Sequence, residues 1–444
     1  MYTRLLLPLL GVLLPLWSVL SAQSYTGLRV DNYAGVHGLL LNPAAAADSR
    51  TGFELQLGSV SGLLSSDYAK LDGSLLRDAL DTDADQAILE RDARDDNYGF
   101  ANVDIVGPSL FMRLGDNTGL GLITRARGMY NLTNTNGGLF EGIQSDFGAY
   151  TALPFQLSDS RSTMHLWGEA SLVLGTVLVR SDDAILKAGG AVKYLQGLGS
   201  VYTSSAQLNG AYDRQQDRVD LAGDMSFGRT TGFDLESIDP ANRTSGMGFD
   251  AGIAYEWSPG GKRDSSAVRR PYRLKAAVSV VDIGSIAYEG STRTDYLLSG
   301  SLPADRVEGA GSTEDILEEF DGTTTQEAVD VGLPTTLHFL VDVRLTGALY
   351  VSGLYSTSLV DETKVANAIP TLLTLVPRIE TRGLGLTFPI TLRQGQPTTF
   401  GAGVRLGPFM IGSSSLISHY LMDGAYAADV YAGVKFGFQR KREK

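Results

Sequence analysis

Apolar and polar residues alternate with period two over long stretches of this chain. From His165 to Leu174, one face carries Leu166, Gly168, Ala170, Leu172 and Leu174, and the other His165, Trp167, Glu169 and Ser171. That is the repeat of a β-strand with two unlike faces. Arg273 to Val280 sets Leu274, Ala276, Val278 and Val280 against Arg273, Lys275, Ala277 and Ser279. Leu337 to Leu345 sets Leu337, Phe339, Val341, Val343 and Leu345 against His338, Asp342 and Arg344, with Leu340 as the one exception. Val430 to Phe438 sets Val430, Ala432, Val434, Phe436 and Phe438 against Tyr431, Gly433, Lys435 and Gly437. A strand with one apolar face and one charged or glycine face suits a membrane barrel, lipid on one side and a polar lumen on the other. A soluble sandwich alternates in the same way, so the period alone leaves both open.

Loop lengths separate the two. Strands are predicted near 51–60, 98–114, 119–131, 162–179, 184–198, 202–213, 217–227, 246–257, 270–283, 334–344, 347–358, 378–390, 398–407 and 427–438. Short turns, Gly115 to Thr118, Ser181 to Asp183, Asp213 to Asp217, Pro259 to Gly261 and Arg393 to Pro397, follow the even-numbered strands. Long connections, 61–97, 132–161, 228–245, 284–333, 359–377 and 408–426, follow the odd-numbered ones. Short turns on one rim and long loops on the other predict an all-β fold, an antiparallel transmembrane β-barrel of about 14 strands over residues 51–438. The lumen-facing candidates are then His165, Trp167, Glu169, Lys187, Lys193, Arg273, Lys275, His338, Asp342, Arg344, Arg405 and Lys435. A lumen of this width is not filled by side chains alone, so it holds water, a ligand or a plug.

Composition narrows the compartment and the chemistry. The 444 residues include 52 Gly, above the usual share of about 7%. There is no Cys, which removes disulfide scaffolds, zinc ribbons and lipidated cysteines. The four His, at 37, 165, 338 and 419, have no metal-ligand spacing, so no metal or other cofactor is expected. Met1 to Ala22 reads as a signal peptide, with one cation, an apolar stretch and a small-residue cleavage site. No later run is long and apolar enough for a transmembrane helix, so the exported chain is placed in the cell outer membrane by its strands. A formal net charge of −13 without a basic stripe argues against nucleic acid. The partners expected are outer-membrane lipid and, for the acid-rich segments Asp67 to Asp96 and Asp305 to Asp330, read as outward loops, a surface or secretion protein. Asp81 to Asp85 resembles the start of a calcium loop, but Gln86 stands where glycine is required. No nucleophile elbow is present, and Asn131 and Asn242 open sequons that carry no weight in such a barrel. His165 and His338 are read as lumen-facing polar residues rather than catalytic ones, and no catalysis is expected.

Residues 23–50 precede the first strand and contain Leu39-Leu40-Leu41, which a solvated linker would not carry. Pro43 fixes φ and pushes Asn42 out of the helical region, so Asn42, Pro43 and Ala44 mark a turn into strand one. The segment is expected to plug the lumen. Asn32-Tyr33-Ala34-Gly35-Val36, Asn42-Pro43-Ala44 and Ala47-Asp48-Ser49-Arg50, together with Gly383 to Leu386, Gly401 to Met410 and the ending Asp429 to Phe438, resemble a Bacteroidota outer-membrane family, domain of unknown function 5723. The Asn-Pro-Ala step is also similar to FadL-like and PorV-like barrels. The resemblance spans the mature chain and brings no catalytic residues. The family name implies fold and compartment and brings no established activity; the expected plug and the long loops point to passive transport of small amphipathic or hydrophobic molecules in the FadL-like manner, and the PorV-like resemblance to a docking barrel for a surface or secretion partner. The basic tail 439–444 departs from barrels that end on an aromatic residue.

Overall fold

The structure, a computed structural model, describes residues 25–47, 49–73, 87–145, 147–231, 233, 244–259, 272–310, 312–361 and 364–438. The predicted leader 1–22, the calcium-like string 81–85, Asn242 of the second sequon and the tail 439–444 lie outside the described residues.

Fourteen antiparallel passes close into one barrel. They are β1 (Phe53–Ser66), β2 (Asn97–Val106 and Ser109–Arg113), β3 (Thr118–Thr135), β4 (Ala152–Arg180), β5 (Ala184–Asp213), β6 (Arg218–Arg229 and Ser245–Trp257) and β7 (Leu274–Pro303). Then follow β8 (Gly322–Gly332 and Thr336–Thr346), β9 (Leu349–Ser358), β10 (Leu372–Glu380), β11 (Leu384–Thr387 and Ile390–Arg393), β12 (Thr399–Phe400 and Ala402–Leu406), β13 (Phe409–Ser413) and β14 (Ala427–Phe438). Each pass pairs with the next, and β1 pairs with β14 from Phe53↔Phe438 to Ser65↔Ala427, which removes the sheet edge at the level of the belt. The alternation does what it predicts. Leu172, Leu174, Val192, Ile253, Val341, Leu375, Leu406 and Ile411 stand outward and exposed, while Trp167, Glu169, Lys193, His338 and Asp342 turn inward and are buried. An outward apolar belt around a polar interior is the surface a barrel shows to lipid.

Several predicted boundaries are corrected. The stretches 184–198 and 202–213 form one strand, because Gly199 (φ 142°) bends β5 without turning it back. The stretches 217–227 and 246–257 are two halves of β6, interrupted between Arg229 and Ser245. In compensation, 378–390 contains the turn 381–383 and belongs to two strands, and 408–426 is not all loop, since it contains β13. The turns at 213–217 and 393–397 lie on the rim away from β1's start, among the long loops. On the opposite rim the turns at 114–117, 181–183, 347–348, 381–383 and 407–408 are short, whereas the predicted turn Pro259 to Gly261 falls in the longer connection 258–273, of which residues 260–271 lie outside the described residues. The stretch 284–333 is mostly strand, with the helices Ala304–Gly309 and Thr313–Leu317 at its top.

About ten residues of tilted strand cross a bilayer, yet β5 and β7 run for 30 residues each. The excess forms a tall wall beyond the belt. Where it leaves the belt, a line of irregularities crosses five strands: a register shift at Leu166/Trp167 in β4, Gly199 in β5, the break in β6, Asp282 (φ 61°) and Gly284 (φ 146°) in β7, and the break before Thr336 in β8. Bulges bend strands and sharpen twist. Above the bend, the helices pack on the wall through a separate core that includes Phe147, Phe155, Tyr212, Leu298 and Leu317.

Candidate functional site

The lumen holds residues 25–47. Val36–Leu41 form one turn of α-helix and Pro43–Ala46 a 3-10 turn, and almost every residue of the segment is buried. The helix starts at Gly35, whose φ of 59° brings its backbone against Glu54, where a Cβ would collide with the carboxylate. Leu39 and Leu40 pack with Val106, Phe111, Ile123 and Val173 of the wall, and Leu41 with Ala254, Ala277 and Leu340. The triple leucine thus has the non-aqueous contact it requires.

At Asn42-Pro43-Ala44 the plug touches the wall backbone to backbone. A Cβ on Gly119 of β3, Gly175 of β4 or Gly189 of β5 would lie within 2.2–2.8 Å of backbone atoms of residues 43 to 47. A Cβ on Gly252 of β6 would meet the Asn42 side chain at 2.2 Å. Four neighbouring strands therefore supply a glycine depression shaped for the 3-10 turn. The Asn42 Nδ2 donates to the carbonyls of the register partners Ile253 and Val278, 3.1 Å each, and its Oδ1 accepts from Ala44 N at 2.9 Å. Asn42 is both cap and anchor, and its extended backbone (φ −154°, ψ 115°) is the one favoured before a proline ring.

The opposite side of the plug is held by charge. Arg405 Nε donates to Asp31 (2.8 Å), and Glu380 accepts from Asn32 N (3.1 Å), Asn32 Nδ2 (2.9 Å) and Arg50 (3.0 Å). Glu380 and Asp342 share Arg378, which is fully buried. Lys435 donates to Glu54 (3.2 Å) and to the Tyr33 carbonyl, while Glu54 accepts from Val36 N (2.8 Å). A second network lies on β2 to β7: Arg125 grips Asp104 with two bonds of 2.6 Å and Glu169 with one of 3.1 Å, Arg127 pairs with Asp282, and Lys193 with Asp250 and Asp282. Buried pairs of this kind add little net stability, but losing one partner strands the other charge at a cost of about 3–5 kcal/mol.

The predicted lumen set divides accordingly. His165, Trp167, Glu169, Lys187, Lys193, His338, Asp342, Arg405 and Lys435 are buried inside, and Lys275 is half-buried over the Tyr272 ring. Arg273 and Arg344 are corrected: both sit at the rim, where Arg273 is exposed and donates to Leu345 O, and Arg344 donates to Gly347 O, because their strands end there. His165 stacks on Trp167 and bonds Tyr288 OH at 3.0 Å; His338 bonds Ser356 Oγ at 2.7 Å. Neither has a carboxylate hydrogen-bonded to it among the described residues. Arg125, Arg127, Asp104, Asp282, Arg378 and Glu380 were not predicted. The parity rule applied within 119–131 would have found the two arginines of β3.

Above the plug the mouth is shut a second time. The connection between β9 and β10 crosses the lumen: Asn131 Nδ2 donates to Ala368 O (2.6 Å), its Oδ1 accepts from Asn367 Nδ2 (2.8 Å) and Ala368 N (3.2 Å), and Asn367 reaches Thr163 O (2.9 Å). Val365 and Ile369 pack on Phe100, Met129, Trp167 and Val331. Between plug and lid remains a chamber of about 70 Å³ whose wall mixes Phe100, Met129, Leu354 and Val376 with Arg29, Arg127, His338 and Ser356. The compartment is amphipathic.

A model of a family of unknown function (DUF5723) matches residues 43–414, beginning at Pro43 and stopping before β14, so the predicted likeness of the ending Asp429 to Phe438 lies outside the match. Among solved structures, a Pseudomonas aeruginosa FadL homologue is similar at 12% identity and TM-score 0.42, over 91% of this chain and 94% of its own. The Ralstonia pickettii toluene transporter TbuX is similar at 10% identity and TM-score 0.42, over 92% and 95%. The P. putida toluene transporter TodX is similar at 9% identity and TM-score 0.44, over 92% and 95%. No curated protein matches the chain.

Proposed function

The chain belongs to the DUF5723 family of unknown function, and we propose that it is an outer-membrane channel through which small amphipathic or hydrophobic molecules pass without an energy source. The observation that carries this reading is the chamber between plug and lid. It is lined by apolar and hydrogen-bonding groups together, and it lies between two elements that belong to no strand of the wall. Ligand sites generally combine an apolar lining with a few placed polar groups. A chamber of about 70 Å³ is small for such a guest, which fits the reading that plug or lid moves during passage.

The test is flux. Purified protein in planar bilayers is compared with a deletion of residues 25–41, with Asn131→Ala, and with both together. The double variant is expected to conduct steadily, each single variant to flicker, and the parent to stay near baseline. A double variant as silent as the parent would remove the channel reading.

A further inference from the structure

Above the belt, the extensions of β4 to β8 form an open five-stranded sheet, and an open sheet has two edges. One is residues 152–160 of β4, beyond the end of its pairing with β3 at Arg161. It is blocked three times over. Pro154 has no N–H to offer, Asp159 turns left-handed (φ 51°) with its carbonyl taken by Asn134 Nδ2, and the helix Gly137–Gln144 packs beside it. Proline, broken geometry and a covering helix are the usual means of denying an edge to other strands.

The other edge is residues 322–330 of β8. Its inner side pairs with β7 from Tyr288 to Tyr296, whereas β9 joins β8 only from Thr336 onward. Among the described residues no ladder covers its outer side until Gly332, which donates to Val365 O. Gly322 to Ala328 are exposed, and the stretch has no proline, no lysine and no bulge beyond the one at its base. Thr323, Thr324 and Thr325 favour extended backbone. The same sheet thus guards one edge and leaves its opposite open. Charge decides what fits. Residues 304–332 contain nine acids and one base, Arg306, and Glu318, Glu319 and Asp321 lead directly into the edge. A second copy of this chain would bring the same charge and be repelled.

We propose that the Gly322–Asp330 edge is a docking site for an extended, cationic segment of another protein, which adds to the sheet as a further strand. Main-chain bonds hold such a segment and side-chain chemistry selects it. This inference is independent of the channel reading.

The probe is a labelled ten-residue peptide of alternating lysine and valine, measured by fluorescence anisotropy against the full-length protein in detergent. Two controls separate its contributions: the same peptide N-methylated at every second residue, and a glutamate–valine peptide. Neighbouring residues of a strand point their N–H groups to opposite sides, so Thr324→Pro and Thr325→Pro are both made; one removes an outward donor. Folded electrophoretic mobility checks that each barrel is intact. The lysine peptide is expected to bind, the N-methylated and glutamate peptides at least tenfold more weakly, and one proline variant to lose at least tenfold in affinity. Equal binding of the N-methylated peptide would reduce the effect to charge and overturn strand addition, as would indifference to both prolines or no binding of the lysine peptide. A doubled mass in light scattering, reversed by either proline, would overturn it in favour of a second copy.

Discussion

Replacing Asn42 with alanine should loosen the plug by an amount the structure sets. The side chain makes three hydrogen bonds, to Ile253 O, Val278 O and from Ala44 N, and is 7% exposed. At a net 0.5–1.5 kcal/mol each, their loss weakens docking by about 3 kcal/mol. Leu39, Leu40 and Leu41 keep their contacts, each worth roughly 1.5–3 kcal/mol, so the plug remains docked for most of the time while its open population rises about a hundredfold. The natural absence of cysteine makes this measurable. Val36→Cys places a single thiol at a fully buried plug position where the smaller side chain fits. Maleimide labelling of that thiol follows the open population when opening and closing are faster than the reaction. With Asn42→Ala added, the labelling rate should rise about a hundredfold, and the cost of the reporter cancels between the two proteins. A rate changed less than threefold would refute the claim that Asn42 anchors the plug.

Three further outcomes are expected. Gly189→Val, whose Cβ would lie 2.3–2.5 Å from Pro43 and Ala44 backbone, should leave a barrel of folded mobility but raise Val36→Cys labelling more than Asn42→Ala does. Val341→Arg, on the half-exposed outer face, should abolish membrane assembly at a cost of about 2–4 kcal/mol, whereas Ala277→Arg should assemble and displace the plug, because Ala277 packs against Val30, Leu41 and Ala44. Arg378→Gln strands Asp342 and Glu380 and should lower unfolding stability by about 3–5 kcal/mol in a urea titration, more than Arg273→Gln at the exposed rim.

The barrel was legible because period two is a local property: His165 to Leu174 states its own inside and outside. Breaks were less legible, since the same residue types serve turns and bulges. Gly199 bends β5 and was read as a strand end, while Gly407-Pro408 is a true turn that was read as the junction between a strand and a long loop, hiding the five residues of β13. The strand total survived because two over-divisions and two omissions cancelled. The plug was visible in Leu39 to Leu41 and Asn42-Pro43, residues out of character for a linker. Its partners were not. Asp31 meets Arg405 and Asn32 meets Glu380 across more than 340 positions, and parity says that a charge faces inward without saying which charge it faces. The lid escaped altogether, because Asn131 and Asn367 are unremarkable until the chain brings them together.

Glu54 and Lys435 stand on β1 and β14, the two strands whose meeting completes the cylinder. The ladder these strands form joins the first and last strands of the sheet, from Phe53↔Phe438 to Ser65↔Ala427. Both side chains are buried there, and what finishes their solvation is not the wall but the plug, through Val36 N on one and the Tyr33 carbonyl on the other. Without the plug, these two bonds would pass to water in the lumen. The segment that fills the lumen is therefore also a brace across the seam, and a barrel that lacks it is expected to assemble with its β1–β14 joint loosened.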